Sequence, residues 1–278
     1  MSDSEIMENN NVRWLASIHD GEELYSINLD GRKLRTPARN PLVVPCKNLA
    51  WCVASEWDAQ MDDKRGIQPA SMPLMSLIST TIDQISTPAG LAFTRNTVMN
   101  YLPTDSALFY THEGDRILLA KQRKMMDPIL EFFAKELEIE LKTTQAMTSR
   151  IEQSPEVASK IRTMVHSLDP FSLAVIQCIT MECKSLLSAL AFYYKGLDLQ
   201  SLKGVSRVEE EFQVEIWGVV EGGHDMDRLN NSVSLASSSL FVGLLENSVP
   251  YYASVRSIEK WKESPPEYLI ETIDGDAV

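Results

Sequence analysis

The hydrophobic pattern changes period along the chain. From Val12 to about Cys46 it is short and extended: VRWLASI and ELYSINL read as strands, and Asp30-Gly31 supplies a two-residue hairpin turn returning through RKLRT. PLVVP adds an extended piece between prolines. Past Asn48, read as an N-cap, Leu49, Cys52, Val53 and Trp57 recur at the three- and four-residue steps of one helix face. Two more helices are predicted over SMPLMSLISTTIDQ and from Gly90 to Leu102, and DSALFY (Asp105–Tyr110) suggests a strand.

The second half is more helical. Asp127-Pro128, Ser154-Pro155 and Asp169-Pro170 each place a capping side chain before a proline suited to the first helical position, so helices are expected to begin near Pro128, Pro155 and Pro170. Others are predicted over Lys184–Tyr194, Leu202–Val219 and Asp225–Glu246. In the last, Met226, Leu229, Val233, Ala236, Leu240 and Leu244 form one apolar stripe. The pattern is α+β: a β-rich N-terminal part with helices over residues 12–125, then a helical bundle over 126–260. The polar stretches 1–11 and 262–278 read as loose tails.

Composition narrows the function more than the fold. The 278 residues carry 39 acidic and 26 basic side chains, a formal net charge of −13. Binding to a nucleic-acid backbone needs clustered cations, so this balance argues against it. A basic or apolar protein partner is more compatible. The longest apolar run, LLSALAFYY (Leu186–Tyr194), is about half of the roughly 18 residues a membrane span requires, so no membrane insertion is expected. The acidic N-terminus has the character of neither a signal peptide nor an Arg-rich presequence. Cys46/Cys52 and Cys178/Cys183 lack metal-binding spacing and read as free thiols.

Signatures of catalysis are missing from the sequence: there is no GxxxxGK[ST] loop, no GxGxxG, no GxSxG elbow and no HExxH pair. His224-Asp225 resembles the dyad of some metal phosphohydrolases, and a metal-dependent phosphohydrolase using both is the alternative reading. The plainer one makes Asp225 the cap of the last long helix, with Asp227 in its first turn. No metal or other cofactor is expected.

The stretch RVEEEFQVEIWGVVEGGHD (Arg207–Asp225) concentrates carboxylates beside apolar residues. At about 100° per residue, Val205, Val208, Phe212 and Ile216 share one face, with Glu209 and Glu215 flanking it on opposite sides. Glu210 and Trp217 fall on another face near Val214. Residue types alone leave three readings open: solvated or paired surface charges, a general acid/base pair, or a recognition surface.

Several segments, taken in order, form a set: LDGRKLRTP (Leu29–Pro37), NPLVVP (Asn40–Pro45), VASEWDAQ (Val53–Gln60) and MPLMSL (Met72–Leu77), then YLPTDSALFY (Tyr101–Tyr110) and QRKMMDPILEFF (Gln122–Phe133). KSLLSALAF (Lys184–Phe192) and EEEFQVEIWG (Glu209–Gly218), followed by VEGGHDMD, complete it. Together they resemble the F₁-ATPase assembly factor 2 family, chaperones of the alpha subunit of mitochondrial ATP synthase. Met181-Glu182-Cys183 departs from the family's Thr-rich pattern at that place. The resemblance implies an α+β part followed by an orthogonal helical bundle, and no enzymatic activity. It also implies a monomeric mitochondrial matrix protein that binds the unassembled alpha subunit and shields its interface until the beta subunit replaces it. Glu209 is the foremost candidate for partner binding that it points to, then Glu210 and Glu215, framed by Gln213, Trp217 and Gly218.

Overall fold

The computed structural model describes residues 12–19, 22–29, 31–60, 66–146 and 150–259; the expected tails at 1–11 and 262–278 lie outside them. The fold is α+β. Strands β1 (Val12–His19) and β2 (Glu22–Leu29) pair antiparallel over their whole length, from Val12↔Leu29 to His19↔Glu22. The Leu29↔Arg32 register of β3 (Arg32–Lys33) leaves the two-residue turn that Asp-Gly predicts, and Gly31 stands there at φ +77°. Only glycine adopts that backbone freely. Strand β4 (Val43–Val44), from PLVVP, also pairs with β2. Ile27, Leu34, Leu42 and Val44 are buried.

Two carboxylates organise the chain around the first helices. Asp83 accepts hydrogen bonds from the Thr36 hydroxyl, the Ala38 amide and the Asn40 side chain, which fixes the TPARN loop. In helix α1 (Lys47–Asp58), Glu56 accepts from the amides of Leu74 and Met75, both at 2.8 Å. These are free amides at the start of α2 (Pro73–Thr80), so one helix supplies the cap of the next. Burial raises the Glu56 carboxyl above the usual range, although the two amides pull the other way. The N-cap of α1 is Cys46, not Asn48, whose amide reaches Ser248 instead at 3.0 Å. A π-helical turn (Thr81–Ile85) leads to α3 (Pro88–Met99).

The remaining elements are α4 (Arg116–Leu137), α5 (Pro155–His166), α6 (Pro170–Cys183), α7 (Leu186–Tyr193), α8 (Leu199–Trp217), α9 (His224–Ser248) and α10 (Pro250–Val255). Ser154 and Asp169 cap α5 and α6 through their side chains, as the Ser-Pro and Asp-Pro pairs predict. Asp127-Pro128 does not start a helix. Asp115 caps α4, Pro128 lies inside it, and Asp127 accepts the Tyr110 hydroxyl at 2.9 Å. The apolar face of Leu119, Met126, Ile129 and Phe133 carries the helix through the proline, offsetting one lost backbone bond. The helix also runs unbroken across residues 125 and 126, where the sequence pattern suggests a division.

DSALFY forms a 3₁₀ turn (Ser106–Leu108) rather than a strand, because the Asp105 carboxylate accepts the Ala107 amide and closes the chain locally. Asp105 is fully buried and also accepts the Leu187 amide, 2.9 Å away at the start of α7. Every residue of α7 is buried. The chain divides into two compact units: the described parts of Met1–Leu91 with Ser237–Ser254, and those of Ala92–Ala236 with Val255–Val278.

Candidate functional site

Helix α8 lies along α4, and Val208 packs with Tyr110, Leu119 and Met126 in one buried cluster. Gly204 makes the approach close: a Cβ there would stand 2.9 Å from the Met125 sulfur. The acidic half of α8 continues from this anchored segment, and its carboxylates meet specific partners.

Glu209 accepts from the Gln122 amide at 2.8 Å, while the Gln122 carbonyl oxygen accepts the Thr111 backbone amide at 2.7 Å. Gln122 is buried, so it works as a bracket between α8, α4 and the 105–111 segment. Glu215 pairs with Lys121 of α4 at 2.6 Å. Glu210 and Glu211 flank the buried Arg207 at 3.0 and 3.1 Å. From α9, Arg228 adds a two-pronged contact to Glu211 at 2.6 and 3.0 Å. Hydrogen bonds from Arg228, then Arg207, hold the Glu211 carboxyl below the usual range despite partial burial.

Glu209 and Glu215 therefore tie α8 to α4, Glu211 ties it to α9, and Glu210 pairs along α8 itself with Arg207. Gln213 is exposed and lines a groove of about 560 Å³ beside α8. Trp217, at its rim, is 76% exposed. Phe109, Leu118 and Phe212 form the groove's apolar wall, and Gln122, Glu209 and Arg150 supply polar groups. Gly218 ends α8 at φ +84°, with its amide on Val214.

Two features are not visible in the sequence. Lys121 and Gln122 sit at the start of the QRKMMDPILEFF region, but nothing local marks them as partners of residues about 90 positions away. The second concerns the stripe of α9. Its buried residues include Asn231, Leu235, Ser238, Phe241, Val242 and Leu245, whereas Met226, Leu229, Val233 and Leu240 are exposed. Helical periodicity finds apolar faces but does not say which one the protein covers. Ile216, Val219 and Val220 are exposed as well.

The His224-Asp225 pair does not form a metal site. His224 is the first residue of α9 and its Nδ1 accepts the Val220 amide at 3.1 Å, folding the imidazole back on the preceding turn. Asp225 is not the cap; it lies in the first turn beside Asp227. Among the described residues, no three His, Cys, Asp or Glu side chains converge as metal ligands. The four cysteines are free thiols, and burial raises Cys46, Cys52 and Cys183, opposite to the shift an activated nucleophile needs. No helix among the described residues is long and apolar enough to cross a membrane.

The model of the ATP12 chaperone protein family matches residues 11–134. The mitochondrial protein atp12 of Schizosaccharomyces pombe is 27% identical over 237 residues, covering 83% of this chain and 80% of its own length. The crystal structure of Atp12 from Paracoccus denitrificans superposes with a TM-score of 0.73 at 28% identity, over 84% of this chain and 96% of that one. The chain resembles the ATP12 chaperone family in sequence over its first half and in fold over most of its length. A second ATP12 protein named mitochondrial, from Saccharomyces cerevisiae, is 26% identical over 73% of this chain and 74% of its own. The structural likeness, over 84% of this chain, extends well past the family-model match.

Proposed function

We propose that this ATP12-family chaperone of ATP synthase assembly works in the mitochondrial matrix. It binds the unassembled alpha subunit of the catalytic head and covers the interface that the beta subunit later occupies. The observation that carries this reading is the ATP12 match over most of the chain, and two relatives named mitochondrial support the location. An orphan subunit exposes an apolar interface that would otherwise associate without specificity. Shielding it takes binding and release, with no chemical step. Gln213 and Trp217 touch the client, Glu209 and Glu215 keep α8 in the position that presents them, and Glu210 supports the same helix through Arg207.

The test is refolding of purified alpha subunit with and without the protein. An equimolar amount suppresses light scattering by the alpha subunit, and later addition of beta subunit releases the chaperone. Undiminished aggregation of alpha, together with no retention of newly made alpha in pull-downs from mitochondrial extract, would sink the proposal.

A further inference from the structure

The tip of the α8–α9 hairpin carries apolar surface that its internal pairing does not use. Bonds from Ser206 to Asn231 (3.0 Å) and from Arg228 to Glu211 set the two helices antiparallel. The last turn of α8, the link and the first turns of α9 therefore form one knuckle. Ile216, Trp217, Val219, Val220, Met226 and Leu229 all stand out on it, each about half exposed or more. The link is held in shape: the amides of Gly223 and His224 both reach the Val220 carbonyl, and the His224 ring takes the Val220 amide. A fixed turn bearing this much apolar surface is not ordinary scatter of exposed hydrophobics.

Charge says what kind of surface fits it. Arg228 is the only Lys or Arg between Ile216 and Leu229, and it is engaged by Glu211. Glu221, Asp225 and Asp227 lie among the apolar residues, and the last two are exposed on the first turn of α9. The knuckle is thus apolar with an acidic rim. Trp217 also forms the rim of the adjoining groove, whose wall includes Phe212 and Leu118.

We infer that this knuckle, with the groove beside it, is the docking surface for an apolar segment of the alpha subunit flanked by basic residues. The inference rests on the reading of the protein as an alpha-subunit chaperone. An apolar client side chain enters the groove against Phe212 and Trp217, the client backbone crosses Val220 and Met226, and its cations meet Glu221, Asp225 and Asp227. Opposite charge at the rim speeds association and fixes orientation, while the buried apolar contacts set the lifetime.

Protection of refolding alpha subunit, titrated with full-length variants whose melting matches the original protein, tests this. Val220→Asp with Met226→Asp raises the concentration needed for protection by at least about ten-fold, the scale of losing a central apolar contact. Glu221→Lys, Asp225→Lys and Asp227→Lys together slow association and abolish its acceleration at low salt. Phe93→Asp, at an exposed apolar residue of α3, changes nothing. Full protection by the folded Val220→Asp/Met226→Asp protein overturns the inference while the proposed function stands. Failure of the unsubstituted protein to protect alpha removes the function and this surface with it. A free chain that sediments as a dimer, split by the same double substitution with protection intact, assigns the knuckle to self-association instead.

Discussion

Gln122 and Glu209 form a single hydrogen bond of 2.8 Å that ties α4 to α8, and the other end of the same glutamine holds the Thr111 amide at 2.7 Å. The carboxylate at the centre of the acidic stretch is thus a brace whose far end is buried. Glu209→Ala should cost about 1 kcal/mol, the usual net worth of one such bond, and Gln122→Leu about 2–3 kcal/mol, because it also leaves the Thr111 amide without its acceptor. Their double-mutant cycle should show coupling, because the Gln122–Glu209 bond is the contact both remove. Urea melts measure the stability, and both variants should weaken protection of the client out of proportion to that loss. A loss of several kcal/mol from Glu209→Ala alone would make the residue a core element instead.

Glu215→Ala should be nearly silent in stability. Its partner Lys121 and the carboxylate are both substantially exposed, and such pairs contribute about 0–1 kcal/mol. The same melts, repeated at high salt, should show any residual effect disappearing.

Asp105 makes stability depend on pH. Burial pushes its carboxyl up to about 6, against hydrogen bonds from Ser185, Leu187, Ala107 and Leu186 that favour the charged form. A folded-state value above the unfolded one stabilises the protein fully below the unfolded value, near 4, and that contribution is lost as pH rises through about 6. Stability should therefore fall between about pH 4 and 6 from this group, and Asp105→Asn should flatten that part of the profile in thermal melts. Asp105→Ala, which leaves buried amides without an acceptor, should cost about 3 kcal/mol at any pH.

Two glycines should respond in opposite ways. A Cβ at Gly90 would stand 1.6 Å from the Gln84 carbonyl oxygen, and backbone must move to admit it. Gly90→Ala should cost about 2–4 kcal/mol. At Gly243, inside α9, nothing lies within 4 Å of the added carbon, so alanine should be neutral or gain up to about 1 kcal/mol. Circular dichroism melts of the two variants compare them directly.

Legibility from the sequence follows the range of the interaction. Ser154-Pro155, Asp169-Pro170 and Gly31 act within a few residues, and each stands at the predicted helix start or turn. Asp127-Pro128 has the same local chemistry but is overridden by the apolar face of α4, whose start depends on Asp115. DSALFY has strand-like residues, yet the Asp105 carboxylate bends it through its own amides. The candidate site is half legible: the sequence locates the acidic helix and Trp217. Pairing of Glu209 with Gln122 and Glu215 with Lys121 depends on which helix faces which, whereas Glu210 and Arg207 are an i,i+3 pair on one helix. For the same reason Met226 and Leu229 belong to a core-like stripe in the sequence although they face outward in the fold.

The first compact unit has a property that follows from its composition. It combines the N-terminal residues with Ser237–Ser254, and Cys46 and Asn48 at the start of α1 meet Leu244 and Ser248 there. A ribosome must therefore deliver the chain through α9 before that unit can close. Synthesis order and folding order are opposed, because the part made first waits for a segment made 198 to 200 residues later. A nascent fragment stopping near residue 125 would hold the sheet sequence but not the helical stretch that completes its unit. Until α9 emerges, the first unit lacks the segment that meets the start of its own first helix.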